Sequence, residues 1–96
     1  MSRLYLVTFD ESASGRQPLL HFLDRRDEIA DWHSSMTNGI FIVTDVDVTT
    51  LRDLLKESPL KRFIAVEIRP QDVGRRVSGF LPRATWDFIK RKQPAE

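Results

Sequence analysis

A chain of 96 residues, 41% hydrophobic and 30% charged, suits a single domain over 1–96 and excludes a disordered tail. Cysteine is absent, which excludes disulfide scaffolds, thiolate metal sites and cysteine nucleophiles. The net charge of +1 hides an asymmetry: residues 1–58 carry ten acids and six bases, net −4, and residues 59–96 carry four acids and nine bases, net +5. A basic half is the footprint that a phosphate backbone attracts, or else one part of a fold whose halves neutralise each other. Apolar runs are a handful of residues long and no charged-then-apolar leader opens the chain, so a cytoplasmic protein without membrane contact is expected.

Residues 4–9, Leu-Tyr-Leu-Val-Thr-Phe, form a short apolar run stopped by Asp10 and a Ser/Gly-rich loop through Gly15, the pattern of a strand. Pro18 suits a first helical turn. Leu19, Phe22, Leu23, Ile29 and Ala30 then recur near the 3.6 period, which predicts an amphipathic helix ending near Ala30. Asn38-Gly39 supplies the positive φ angles of a two-residue hairpin turn, between strands at 32–37 and 40–44. Asp47 is placed to cap a helix that presents Val48, Leu51, Leu54 and Leu55 on one face, with Pro59 beyond its end. Residues 63–68 read as a fourth strand, 77–80 as a short edge strand, and 82–92 as a last helix with Trp86 and Ile89 inward.

This order predicts an α+β fold, a ferredoxin-like βαββαβ sandwich with an antiparallel sheet plus a C-terminal short strand and helix. Right-handed crossovers place the first and fourth strands side by side and both main helices on one face. Alternation then makes both faces of the sheet apolar: Tyr5, Val7 and Phe9 oppose Leu4 and Leu6, and Phe63 and Ala65 oppose Ile64, Val66 and Ile68. A face of that size is covered either by a second copy, giving a homodimer through the sheet face, or by the last helix of the same chain. The homodimer is the expectation here.

The segment 5–10, Tyr-Leu-Val-Thr-Phe-Asp, resembles the first strand of the small CRISPR-associated adaptation nucleases, and more closely that of their SinR-like relatives. Gly15, Trp32-His33, the Thr-ending strand 40–44, Leu51-Arg52-Asp53, Gly79-Phe80 and Trp86 stand where that family has matching residues. The chain departs from the pattern at Ser14, where a Pro is expected, and in the strongly basic loop 71–76. The resemblance implies a ferredoxin-like homodimer in which Asp10 of each protomer approaches its mate and holds a Mg²⁺-type ion, without any small-molecule cofactor.

Asp10 is accordingly the candidate catalytic and metal-binding residue. Hard divalent cations take oxygen ligands, and a bound ion activates water and neutralises phosphodiester charge. The other roles open to Asp10 are an ion pair with Lys61 or Arg62, since an antiparallel fourth strand begins where the first ends, and a cap of the following loop through Ser12 or Ser14. Arg69, Arg75, Arg76 and Arg83 are the candidate contacts to DNA or RNA, because the planar guanidinium fork fits phosphate oxygens. His21 and His33 lack ligand spacing. An RNA-recognition motif is excluded, since strand 40–44 has one aromatic, in the wrong phase. The functional expectation is a dimeric nucleic-acid-associated protein with metal-dependent phosphodiesterase activity; the alternative is a non-catalytic interaction module of a defence or toxin–antitoxin system.

Overall fold

Alternating apolar residues in the strands decide the layering, because each face of the sheet needs its own cover. The computed structural model describes residues 2–10, 17–73, 79 and 81–92. They contain strands β1 (Arg3–Phe9), β2 (Ile29–Met36), β3 (Gly39–Thr44) and β4 (Phe63–Ile68). The helices are α1 (Gln17–Asp24), α2 (Val48–Leu55) and α3 (Arg83–Lys92), with a 3-10 turn over Pro70–Asp72. The fold is α+β, with one four-stranded antiparallel sheet in the order β2-β3-β1-β4. β1 pairs with β4 from Leu4 opposite Ile68 to Phe9 opposite Phe63. Among the described residues no helix is long and apolar enough to cross a membrane.

On the front face Tyr5, Val7, Ile40 and Ile42 pack against Leu19 and Leu23 of α1 and Leu51, Leu54 and Leu55 of α2. Both helices therefore cover one face. Asp47 caps α2 through its side chain, which accepts from the Thr50 N–H at 2.8 Å. That bond, made to the charged form, holds the Asp47 carboxyl below its usual range. Val48, expected on the inner face of α2, is exposed instead. The Tyr5 hydroxyl donates to the Val46 carbonyl at 2.8 Å and ties β1 to the chain entering α2.

On the rear face Leu4, Phe41, Val43 and Ile68 meet Phe88 and Ile89 of α3, all nearly fully buried. The cover that a second copy was expected to supply is thus supplied, over this end of the sheet, by the last helix of the same chain. His33 on β2 anchors it: Nε2 lies 3.0 Å from the Thr85 hydroxyl, and the ring stacks on Phe88 at 5.0 Å. Trp86 is only partly buried, and Phe88 takes the deep position beside Ile89. The cover is incomplete along β4, where Ile64 and Val66 remain 63% and 52% exposed.

Two further sequence expectations are corrected. α1 stops at Asp24, and Ile29 and Ala30 belong to β2. Backbone turns close over Arg25 and Arg26, while Ile29 pairs with Thr44; tertiary pairing outweighs a periodicity that continued by coincidence. The hairpin turn is Thr37-Asn38 and not Asn38-Gly39, because an irregularity between His33 and Met36 moves β2 by one residue and pairs Met36 with Gly39. Glycine is needed at 39 for room: a Cβ there would sit 3.0 Å from the Met36 methyl carbon. The strand expected at 77–80 lies outside the described residues except for Gly79, which is in neither strand nor helix.

Two stability outcomes follow from this packing. Phe88→Ala should cost about 3 kcal/mol in urea unfolding, since it opens a cavity and frees the α3 contact with His33. Tyr5→Phe should cost about 1 kcal/mol by leaving the Val46 carbonyl unpaired. Burial, and then the nearby Glu67 charge, raise the Tyr5 hydroxyl above its ordinary value of 10.0. Its contribution is fully present below that value and is lost as pH climbs toward the higher folded one, so an alkaline melt of Tyr5→Phe should fall less steeply than wild type.

Candidate functional site

Asp10 stands where three chain segments meet. The preceding Phe9 N–H donates to the Asn38 carbonyl of the hairpin turn at 3.0 Å, and the Asp10 N–H donates to the Arg62 carbonyl at 3.2 Å. Arg62 returns the bond, its Nε donating to Asp10 Oδ2 at 2.5 Å. Register makes this pairing unavoidable: β1 and β4 end on the Phe9–Phe63 pair, so the residues just beyond, Asp10 and Arg62, face each other. Of the roles open to Asp10 in the sequence, the ion pair is therefore present, and the loop cap through Ser12 or Ser14 lies outside the described residues. Beside it an open cleft of about 600 Å³ is lined by Thr8, Asn38, Phe63 and Ile64 among others.

A metal-dependent role for Asp10 requires a divalent ion at this site. Such an ion needs several oxygens, and a protein usually supplies more than one of them. The described residues of one chain contain no group of three or more His, Asp or Glu side chains that could hold one. The carboxylate of Asp10 is already engaged by a guanidinium, which sits on its oxygen as a cation would. The described residues of a single chain do not make up the donor set of the ion.

The basic candidates are dispersed. Arg69 follows β4 at the end of the sheet opposite Asp10, roughly 20 Å along the strand at 3.3 Å per residue. It is also engaged locally: its N–H donates to Asp72 Oδ2 at 3.2 Å, and its Nε lies 3.6 Å from the same oxygen. Arg83 opens α3 and is exposed. A cation there opposes the helix dipole, so α3 itself gains nothing from it. Arg75 and Arg76 lie outside the described residues. A further basic surface is the outer side of α3, where Arg83, Lys90 and Arg91 are exposed beside Asp87, opposite the buried Phe88 and Ile89.

A second cleft, of about 620 Å³, runs between the ends of α1 and α2 and includes His21, Phe22, Arg26 and Glu57. Arg26 is held there by Glu28 at 3.4 Å, Glu57 at 3.7 Å and the Phe22 ring at 5.5 Å, which engage its charge within the fold, while its Nε is buried with no hydrogen-bond partner among the described residues. His33 is likewise structural, as the anchor of α3. Sequence reasoning did not give Arg62 a binding role. Its only signal was its position one residue before a strand antiparallel to the strand that ends at Asp10.

Comparison of the chain with family models, curated proteins and solved structures finds no match.

The Asp10–Arg62 pair is exposed on both sides, and exposed pairs are worth little. Arg62→Ala and Asp10→Asn should therefore each shift urea stability by less than about 0.5 kcal/mol. A larger loss would mean that the pair is a structural staple.

Proposed function

We propose that this chain is a cytoplasmic nucleic-acid-associated protein of the SinR-like kind, with a ferredoxin-like fold and a binding role. The strand order β2-β3-β1-β4, with α1 and α2 together on the front face, supports the ferredoxin-like assignment. One observation carries the functional reading. α3 divides cleanly into an inner side that seals the sheet and an outer side bearing Arg83, Lys90 and Arg91. Cations on a rigid, docked helix track phosphates without the entropy cost of ordering a loop.

Between the catalytic and non-catalytic versions, the Arg62 guanidinium on Asp10 favours the non-catalytic one. A metal-dependent phosphodiesterase would need the Asp10 carboxylates of two chains side by side, each released from its arginine. A homodimer remains part of the reading. Its contact is the strip of rear face that α3 leaves open, where Val66 is 52% exposed beside the partly buried Leu6 on an edge strand.

The test is fluorescence anisotropy with labelled DNA and RNA across a salt series. Binding should weaken steeply with salt, and Lys90→Glu/Arg91→Glu should weaken it at least about tenfold at fixed salt. Affinity that is indifferent to salt, or unmoved by that double variant, would overturn the reading. Light scattering should report a dimer for the wild type and a monomer for Val66→Lys, whereas a monomeric wild type at the same concentration refutes the dimer.

A further inference from the structure

Arg62 is the most exposed member of the ion pairs described above, with 84% of its side chain in solvent, yet it is held at two points. Its carbonyl accepts from the Asp10 N–H and its Nε donates to the Asp10 carboxylate. A guanidinium has five N–H donors, and Nε supplies only one of them. With 84% of the side chain in solvent, the terminal nitrogens, which form the bidentate edge, are open to an incoming acceptor. Arg26, Arg52 and Arg69 also direct their guanidinium groups onto nearby acids, but their side chains are less exposed, at 30%, 53% and 55%. Asp10 thus orients Arg62 from behind and leaves its recognition edge open.

The surroundings of that edge are unusual for a surface arginine. On the rear side of the sheet the cleft combines the polar groups of Thr8 and Asn38 with the apolar surfaces of Met36 and Ile64, the latter 63% exposed, while the Phe63 side chain packs with the front core. A fork for an oxyanion beside a patch for a flat apolar body matches one nucleotide: phosphate on Arg62, base over Met36 and Ile64. Only an unpaired base can present its face to such a cleft, since duplex bases are covered by their neighbours.

We infer that Arg62 is a phosphate-contacting residue, that Asp10 is its positioning residue, and that the cleft takes a nucleotide unit of single-stranded nucleic acid. The inference rests on the nucleic-acid reading above and names the substrate class within it. It assigns Asp10 to orientation, where the family resemblance implied a metal.

The probe is a fluorescein-labelled oligothymidylate of about ten nucleotides, measured by anisotropy against a matching duplex, the length being of the order of known single-strand sites. The single strand should bind more tightly than the duplex. Arg62→Ala should weaken it about tenfold and reduce the slope of log affinity against log salt by about one. Asp10→Asn, which keeps an oxygen acceptor for Nε, should bind within about threefold of wild type, while Asp10→Ala should approach the Arg62→Ala affinity. A metal site predicts instead that Asn and Ala at position 10 behave alike. The Arg62 Nε–H resonance should shift in NMR spectra as the oligonucleotide is added, which a purely structural pair would not show. Wild-type affinity and slope in Arg62→Ala, alongside a normal loss in the α3 double variant, would overturn this inference and leave the nucleic-acid reading intact. Duplex binding equal to or tighter than single-strand binding would also overturn it. No binding by the wild type at low salt would overturn both.

Discussion

A single antiparallel sheet that is apolar on both sides must be covered twice, and the rest of this molecule follows from that constraint. α1 and α2 cover the front through Leu19, Leu23, Leu51, Leu54 and Leu55. α3 covers much of the rear through Phe88 and Ile89, anchored by the His33–Thr85 hydrogen bond and the His33–Phe88 stack. These contacts join residues about fifty positions apart, so α3 is held by the sheet and not by its own propensity. Seating α3 also orients its charges, because turning Phe88 and Ile89 inward turns Arg83, Lys90 and Arg91 outward.

The same constraint explains what is left uncovered. α3 lies toward the end of the sheet where Leu4, Val43 and Ile68 are buried. The other end, where β1 meets the hairpin turn and the start of β4, carries the Asp10–Arg62 pair, an open cleft and the exposed Ile64. Apolar surface and an oriented charge occur together there because neither is needed for folding. That coincidence makes this end of the sheet the strongest candidate for recognition. The α1–α2 cleft of similar volume has no comparable claim, because Arg26 is consumed within it.

The legibility of the elements varied with how local their causes are. Asp47 was readable as a cap because its partner, the Thr50 N–H, lies three residues away. The β1–β4 pairing was readable because crossover handedness leaves little choice. The end of α1 was misplaced because Ile29 and Ala30 continue a helical period although Thr44 claims Ile29 for the sheet. The hairpin turn moved by one residue because an irregularity opposite Phe41 cannot be seen in a dipeptide signal. At the site, an ion pair for Asp10 was an open alternative, whereas the 84% exposure of the Arg62 side chain was invisible without the side-chain geometry.

By itself the sequence determined the kind of the four described strands and three helices, their antiparallel neighbours and the two-sided apolarity of the sheet, since these depend on short-range pattern and chain connectivity. Only the tertiary structure decided which body covers the rear face, because a helix of the same chain and a second copy bury the same side chains and satisfy the same hydrophobic demand. It also decided the state of Asp10. A carboxylate at a strand end suits a cation of either kind, metal or guanidinium, and register brings Arg62 to it.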